Sequence, residues 1–167
     1  MIEDSCRPMY LHGLEGSPQG TKGQYMVQSF GATAPDMPAI GGVESAFDDS
    51  YAVAREAVAR ENPSVVVGSS FGGAILMRLV LEGHWRGPCV FLASAGYRYG
   101  LGDSIPEGIE AIFIHAREDR IIPFEDSERV VRNSGPRCQL WPTDGDHRLH
   151  HIVSDGLLYR AVTALLP

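Results

Sequence analysis

The chain has 167 residues, 44% of them apolar, and a formal net charge of −7 at pH 7. That length is a prior for one domain, and the apolar share is enough for one well-filled core. The acidic balance argues against nucleic acid or an anionic membrane as the main partner, and no apolar run reaches the roughly eighteen residues of a membrane span.

Residues 1–8 carry two acids before their first base and have no apolar stretch of signal-peptide length. Cys6, Cys89 and Cys138 are an odd number without CxxC spacing. That suits a reducing compartment, with Cys89 and Cys138 as small core residues in apolar runs, and the expected location is cytoplasmic.

Along the chain, Met9, Tyr10 and Leu11 form a short apolar run that stops at His12-Gly13. Ser17-Pro18 predicts an N-cap with proline at the first helical position. Tyr25, Met26 and Phe30 supply that helix's apolar side, and Gly31 its stop. Residues 32–40 hold Pro35 and Pro38, so any strand there is short or irregular. Phe47, Tyr51, Ala54 and Val58 fall at helical spacing, ended by Asn62-Pro63.

Val65-Val66-Val67 is a β-branched run suited to a strand buried on both faces. Residues 72–81 are apolar nearly all round, Arg78 excepted, which places a helix in the middle of the fold. Residues 89–93 and 111–115 are further candidates for buried strands. Pro123 opens a helix closed at 133–135, and residues 138–141 read as a last strand. Leu158, Val162 and Leu165 carry a final helix. Alternation of this kind predicts a three-layer α/β/α sandwich around a mostly parallel sheet of about six strands, in one domain over residues 1–167.

Gly68-Ser69-Ser70-Phe71-Gly72 fits G-x-S-x-G, and it follows a Val-rich strand and opens an apolar helix. A serine on so tight a turn needs small neighbours, which Gly68, Gly72, Gly73 and Ala74 provide. The helix N-terminus adds partial positive charge beside any oxyanion that forms. The bland reading is a Gly-Ser turn without chemistry. Ser69 lacks glycines at the matching offsets, and no lysine follows to make a phosphate loop. Ser70 is the candidate nucleophile.

Acyl transfer also needs preorganised N–H donors for the carbonyl oxygen. The N–H of Phe71 is one candidate, and that of Leu14, just after His12-Gly13, is the other. His12 reads as a brace for this loop. The acid should follow a later strand, and Asp119 stands in the loop after 111–115; Glu118 satisfies the same spacing. The base should come last, and His147 follows the final strand in Asp144-Gly145-Asp146-His147. His150 and His151 compete with it, and the three histidines also permit a metal reading, without an H-E-x-x-H pattern or a nearby cysteine. His84 and His115 read as structural.

These residues resemble the α/β-hydrolase superfamily over nearly the whole chain: His12-Gly13, the turn at Ser70, Asp119 with Ile122-Pro123, and Gly145-Asp146-His147. Leu11-His12-Gly13-Leu14-Glu15-Gly16-Ser17-Pro18, with Lys22, further resembles the small YqiA-type bacterial esterases. The resemblance implies a minimal lidless α/β-hydrolase fold, because residues 95–108 are too few for the lid domain that many members insert. It implies a serine carboxylic ester hydrolase acting on a small acyl substrate, with no cofactor and no metal. Leu14, Tyr97, Tyr99, Leu101 and Ile121 are candidates to line its pocket. A thioesterase or peptidase-like enzyme would use the same machinery, and a silent binding module would share the fold. Lys22 has no evident physical role in the sequence, which is also silent on oligomeric state.

Overall fold

The computed structural model describes residues 7–14, 16–38 and 43–167, so Cys6 and Glu15 lie outside the described residues. Five strands and six helices follow in chain order among them: β1 (Met9–Leu11), α1 (Thr21–Phe30), α2 (Val43–Glu61), β2 (Val66–Ser69), α3 (Phe71–Leu81), β3 (Cys89–Leu92), β4 (Ala111–Ala116), α4 (Phe124–Asn133), β5 (Cys138–Thr143), α5 (His151–Ser154) and α6 (Leu157–Leu165). The strands lie side by side in the order β1-β2-β3-β4-β5, every neighbouring pair parallel.

Successive side chains of a strand point to opposite faces, so the buried runs divide into two layers. Met9, Leu11, Val66, Phe91 and Phe113 pack with Tyr51 and Ala54 of α2, Ile75 and Leu79 of α3, and Val130 of α4. Tyr10, Val67, Val90, Leu92, Ile112 and Ile114 meet Met26 and Phe30 of α1, Ile152 of α5, and Leu158 and Val162 of α6. The result is the α/β/α sandwich expected from the alternation.

The sheet has five strands where the sequence suggests about six. Residues 32–38 contribute only a one-residue parallel bridge, Thr33 to Met9. Thr33 donates its N–H to the Pro8 carbonyl at 3.0 Å and accepts from the Tyr10 N–H at 2.8 Å. Pairing stops there because Pro35 and Pro38 have no N–H to donate. The bridge still shapes the topology. The chain steps outward from β1 through α1 to Thr33, then returns through α2 to β2. Right-handed crossovers in opposite directions lay their helices on opposite faces, which is why α1 and α2 flank the sheet from either side.

Two helix boundaries differ from expectation. Residues 17–20 close a turn, with the Gly20 N–H on the Ser17 carbonyl at 3.1 Å, and α1 begins only at Thr21. The final helix is broken into α5 and α6 because Gly156 takes φ 79°, outside the helical region. The connection between β3 and β4 forms neither helix nor strand, so nothing there builds a lid. No helix among the described residues is long and apolar enough to cross a membrane.

Phe91 and Phe113 stack across the β3–β4 pair at 4.3 Å between ring centroids, and both are essentially unexposed. Replacing Phe113 with Ala should cost about 3–5 kcal/mol, read as a lower denaturant midpoint with an unchanged slope. A cost under about 1 kcal/mol would show that this layer is not closely packed.

Candidate active site

Each candidate side chain stands at or just beyond the C-terminal end of a parallel strand. At the end of β2, Ser70 adopts φ 54° and ψ −107°, a conformation that costs a non-glycine residue roughly 1–3 kcal/mol. Neighbouring backbone holds it there. Its N–H donates to the Leu92 carbonyl at 2.8 Å, and its own carbonyl accepts from the N–H groups of Ala74 at 3.1 Å and Ala95 at 3.0 Å. The flanking glycines serve close approach. A Cβ on Gly68 would lie 2.5 Å from the Gly72 oxygen, and one on Gly72 would lie 2.1 Å from the Leu11 oxygen.

From this turn the Ser70 hydroxyl reaches His147, with Oγ 2.9 Å from Nε2. His147 Nδ1 lies 2.7 Å from Asp119 Oδ2 and donates to it. Nε2 is then free of hydrogen in the neutral ring and accepts the serine proton. The other carboxylate oxygen, Oδ1, accepts the N–H groups of Ile121 and Ile122, each at 2.8 Å. Burial alone would raise the Asp119 pKa, but the bonds from His147, Ile122 and Ile121 outweigh it and hold the carboxyl below its ordinary value. Asp119 is the carboxylate that meets His147, whereas Glu118 is exposed and lines a cavity on the outer side of the histidine.

Gly13 brings the loop after β1 alongside the turn, since a Cβ there would lie 3.8 Å from Ser70 Cβ. Beneath that loop His12 is buried; its Nε2 accepts the Met37 N–H at 3.0 Å and its Nδ1 donates to the Gly13 carbonyl at 2.8 Å. With both ring nitrogens engaged in this way, His12 braces the loop. Among the described residues, neither the Leu14 nor the Phe71 backbone N–H meets an acceptor.

Ser70 and His147 open into a cavity of about 510 Å³, whose walls include Gly13, Leu14, Thr21, Lys22 and Arg148. A larger cavity, about 770 Å³, also borders His147 and includes Ile121 and Glu118; His150 lines both cavities, but Ser70 does not line the larger one. Of the two, the smaller is the one bordered by both Ser70 and His147. Tyr97, Tyr99 and Leu101 line neither. Tyr99 stacks on Phe47 at 5.1 Å and meets the Phe71 ring edge-on, Tyr97 hydrogen-bonds Arg129, and Leu101 packs against the core.

His151 pairs with Thr143 Oγ1 at 2.9 Å, away from Ser70. Among the described residues, no three His, Cys, Asp or Glu side chains gather within reach of one metal ion. Two contributions escape the sequence. Lys22 Nζ donates to the Arg148 carbonyl at 2.6 Å, tying the first turn of α1 to the loop that carries His147. His115 lies directly beneath Asp119, at 3.1 Å from Oδ2. Only the pattern of a histidine four residues before the acid hints at the latter.

These environments set a pH dependence. Burial lowers the His115 pKa against the opposing pull of the Ile122 carbonyl and Asp119. The folded chain thus binds fewer protons than the unfolded one at both groups. The His115 contribution is complete above the unfolded value of about 6.5 and is lost as pH falls below it. That of Asp119 is present above about 3.9 and is lost as pH falls through its lower folded value. Denaturant titrations should show stability declining between about pH 7 and 5, with a shallower decline in His115→Gln. An unchanged slope in that variant would contradict a neutral buried imidazole.

Comparison with protein-family models and with curated proteins returns no match. Solved structures do match. Alpha/beta hydrolase domain-containing protein 10 from mouse is 18% identical, covering 95% of this chain and 88% of its own, with a TM-score of 0.78. A serine hydrolase without lid from Xanthomonas campestris is 17% identical over 98% of this chain and 83% of its own, with a TM-score of 0.74. The esterase domain of a Rhodothermus marinus protein is 14% identical over 97% and 88%, with a TM-score of 0.67. The chain has the α/β-hydrolase fold in a minimal form without a lid.

Proposed function

We propose that the protein is a serine hydrolase that cleaves small soluble acyl esters through an acyl-enzyme on Ser70. The observation that carries this reading is the unbroken chain from Asp119 through His147 to Ser70, at 2.7 and 2.9 Å, ending on a backbone-strained turn. His147 Nε2 takes the hydroxyl proton as Ser70 Oγ attacks the acyl carbon. The imidazolium so formed is stabilised by Asp119. Leu14 and Phe71 offer their N–H groups to the oxyanion, where preorganised donors act without reorganisation. His147 then gives its proton to the departing alkoxide. Water, deprotonated by the same nitrogen, releases the acid and restores Ser70.

The open cavity of about 510 Å³ over Ser70 suits a small-molecule substrate. Two neighbours in fold carry the names esterase and serine hydrolase, which lends the reading support. Cys89 and Cys138 are both unpaired, in keeping with a cytoplasmic site of action. One sheet with two apolar layers favours a single domain.

Hydrolysis of matched short-chain ester, thioester and amide substrates tests the assignment. Ser70→Ala and His147→Ala should each lower kcat on the order of 10⁶-fold. Asp119→Asn should lower it on the order of 10⁴-fold, because the wrong imidazole tautomer is then favoured. A loss below about tenfold in folded His147→Ala would remove this histidine as the base.

A further inference from the structure

His115 is the fifth residue of β4, and its side chain is fully buried. Nδ1 lies 2.7 Å from Ser127 Oγ, while Nε2 lies 2.9 Å from the Ile122 carbonyl oxygen and 3.1 Å from Asp119 Oδ2. The protonation pattern follows from what each partner can do. A carbonyl only accepts, so Nε2 carries the hydrogen. In the neutral ring Nδ1 is then bare and accepts the Ser127 hydroxyl proton. Burial favours that neutral form.

One N–H is therefore shared between the Ile122 carbonyl and the carboxylate of Asp119. Oδ2 sits between two imidazoles, His147 at 2.7 Å and His115 at 3.1 Å, while Oδ1 takes two backbone N–H groups. Four donors around one carboxylate leave it a single orientation. Three of them come from the short segment 115–122 and would exist without His147. The Ile122 residue is held at both ends, its N–H by Asp119 and its carbonyl by His115.

We propose that His115 is a positioning residue for the reaction: its Nε2–H, locked by Ser127, fixes the Asp119 carboxylate in the orientation that His147 needs. The proposal rests on the reading of Asp119 as the acid of the site. A filler of the same hole would need neither the donor nor the tautomer.

Two amide variants separate the roles. In His115→Gln the amide nitrogen reaches the place of Nε2 and keeps a donor on Asp119. In His115→Asn the shorter side chain serves the Ser127 side and leaves Asp119 without that donor. Kinetics on a short-chain ester, with thermal midpoints for each protein, should show His115→Asn losing kcat on the order of tenfold or more at similar KM, the weight of one hydrogen bond to a charged group. His115→Gln should recover most of that loss at a comparable thermal midpoint. Equal kcat in the two folded variants would overturn the proposal while leaving the hydrolase reading intact. A wild type inactive on every acyl substrate would overturn both.

Nitrogen-15 spectra of histidine-labelled wild type provide a test that needs no stable variant. The expected result is a neutral His115 in the Nε2–H form at pH 7, with an Nε2 resonance that moves in Asp119→Asn. The opposite tautomer would contradict the proposal.

Discussion

Where α3 leaves β2, the helix starts almost in contact with the end of β1. A single Cβ on Gly72 would lie 2.1 Å from the Leu11 oxygen and 2.7 Å from the His12 oxygen, both backbone atoms that cannot swing aside. This approach joins two strand ends into one structure. It sets the loop after His12-Gly13 beside Ser70, so that Gly13, Leu14 and Ser70, the N-cap of an almost wholly buried helix, border one cavity. The positive φ of Ser70 follows from turning so sharply, and the carbonyl and N–H groups of Leu92, Ala74 and Ala95 hold that turn. The parallel sheet then brings the ends of β4 and β5 to the same edge, where Asp119 and His147 complete the line.

Much of this was legible because the governing physics is local. The run Val65-Val66-Val67 followed by closely spaced glycines and an apolar stretch specifies a buried strand, a sharp turn and a buried helix by steric demand alone. Asp119 and His147 were legible as residues just past strand ends. The features that escaped depend on tertiary placement. The sequence left room for a short or irregular strand after α1; over residues 32–38 it amounts to the Thr33 bridge, since Pro35 and Pro38 have no N–H to donate. Gly156 split the last helix, a cost that the apolar spacing of Leu158, Val162 and Leu165 does not reveal.

The aromatic residues after β3 show the same limit. Tyr97, Tyr99 and Leu101 stand in the right stretch of chain for a pocket wall, yet Tyr99 meets rings of α2 and α3, Tyr97 meets Arg129 of α4, and Leu101 packs against the core. Lys22 and His115 were beyond reach for another reason. Lys22 meets the Arg148 carbonyl from across 126 residues of chain, and His115 gains its meaning from a carboxylate that only the fold turns toward it.

On the proposed reading, the site is assembled before any substrate arrives: a strained serine, a histidine of fixed tautomer and a carboxylate saturated with donors. A fluorophosphonate probe followed by peptide mass spectrometry tests that claim most directly, because it reacts far faster with a serine activated by its base than with a resting hydroxyl. One adduct, on Ser70, is expected in the wild type, and none in folded His147→Ala. An unmodified wild type, or an adduct on any other residue, would contradict it.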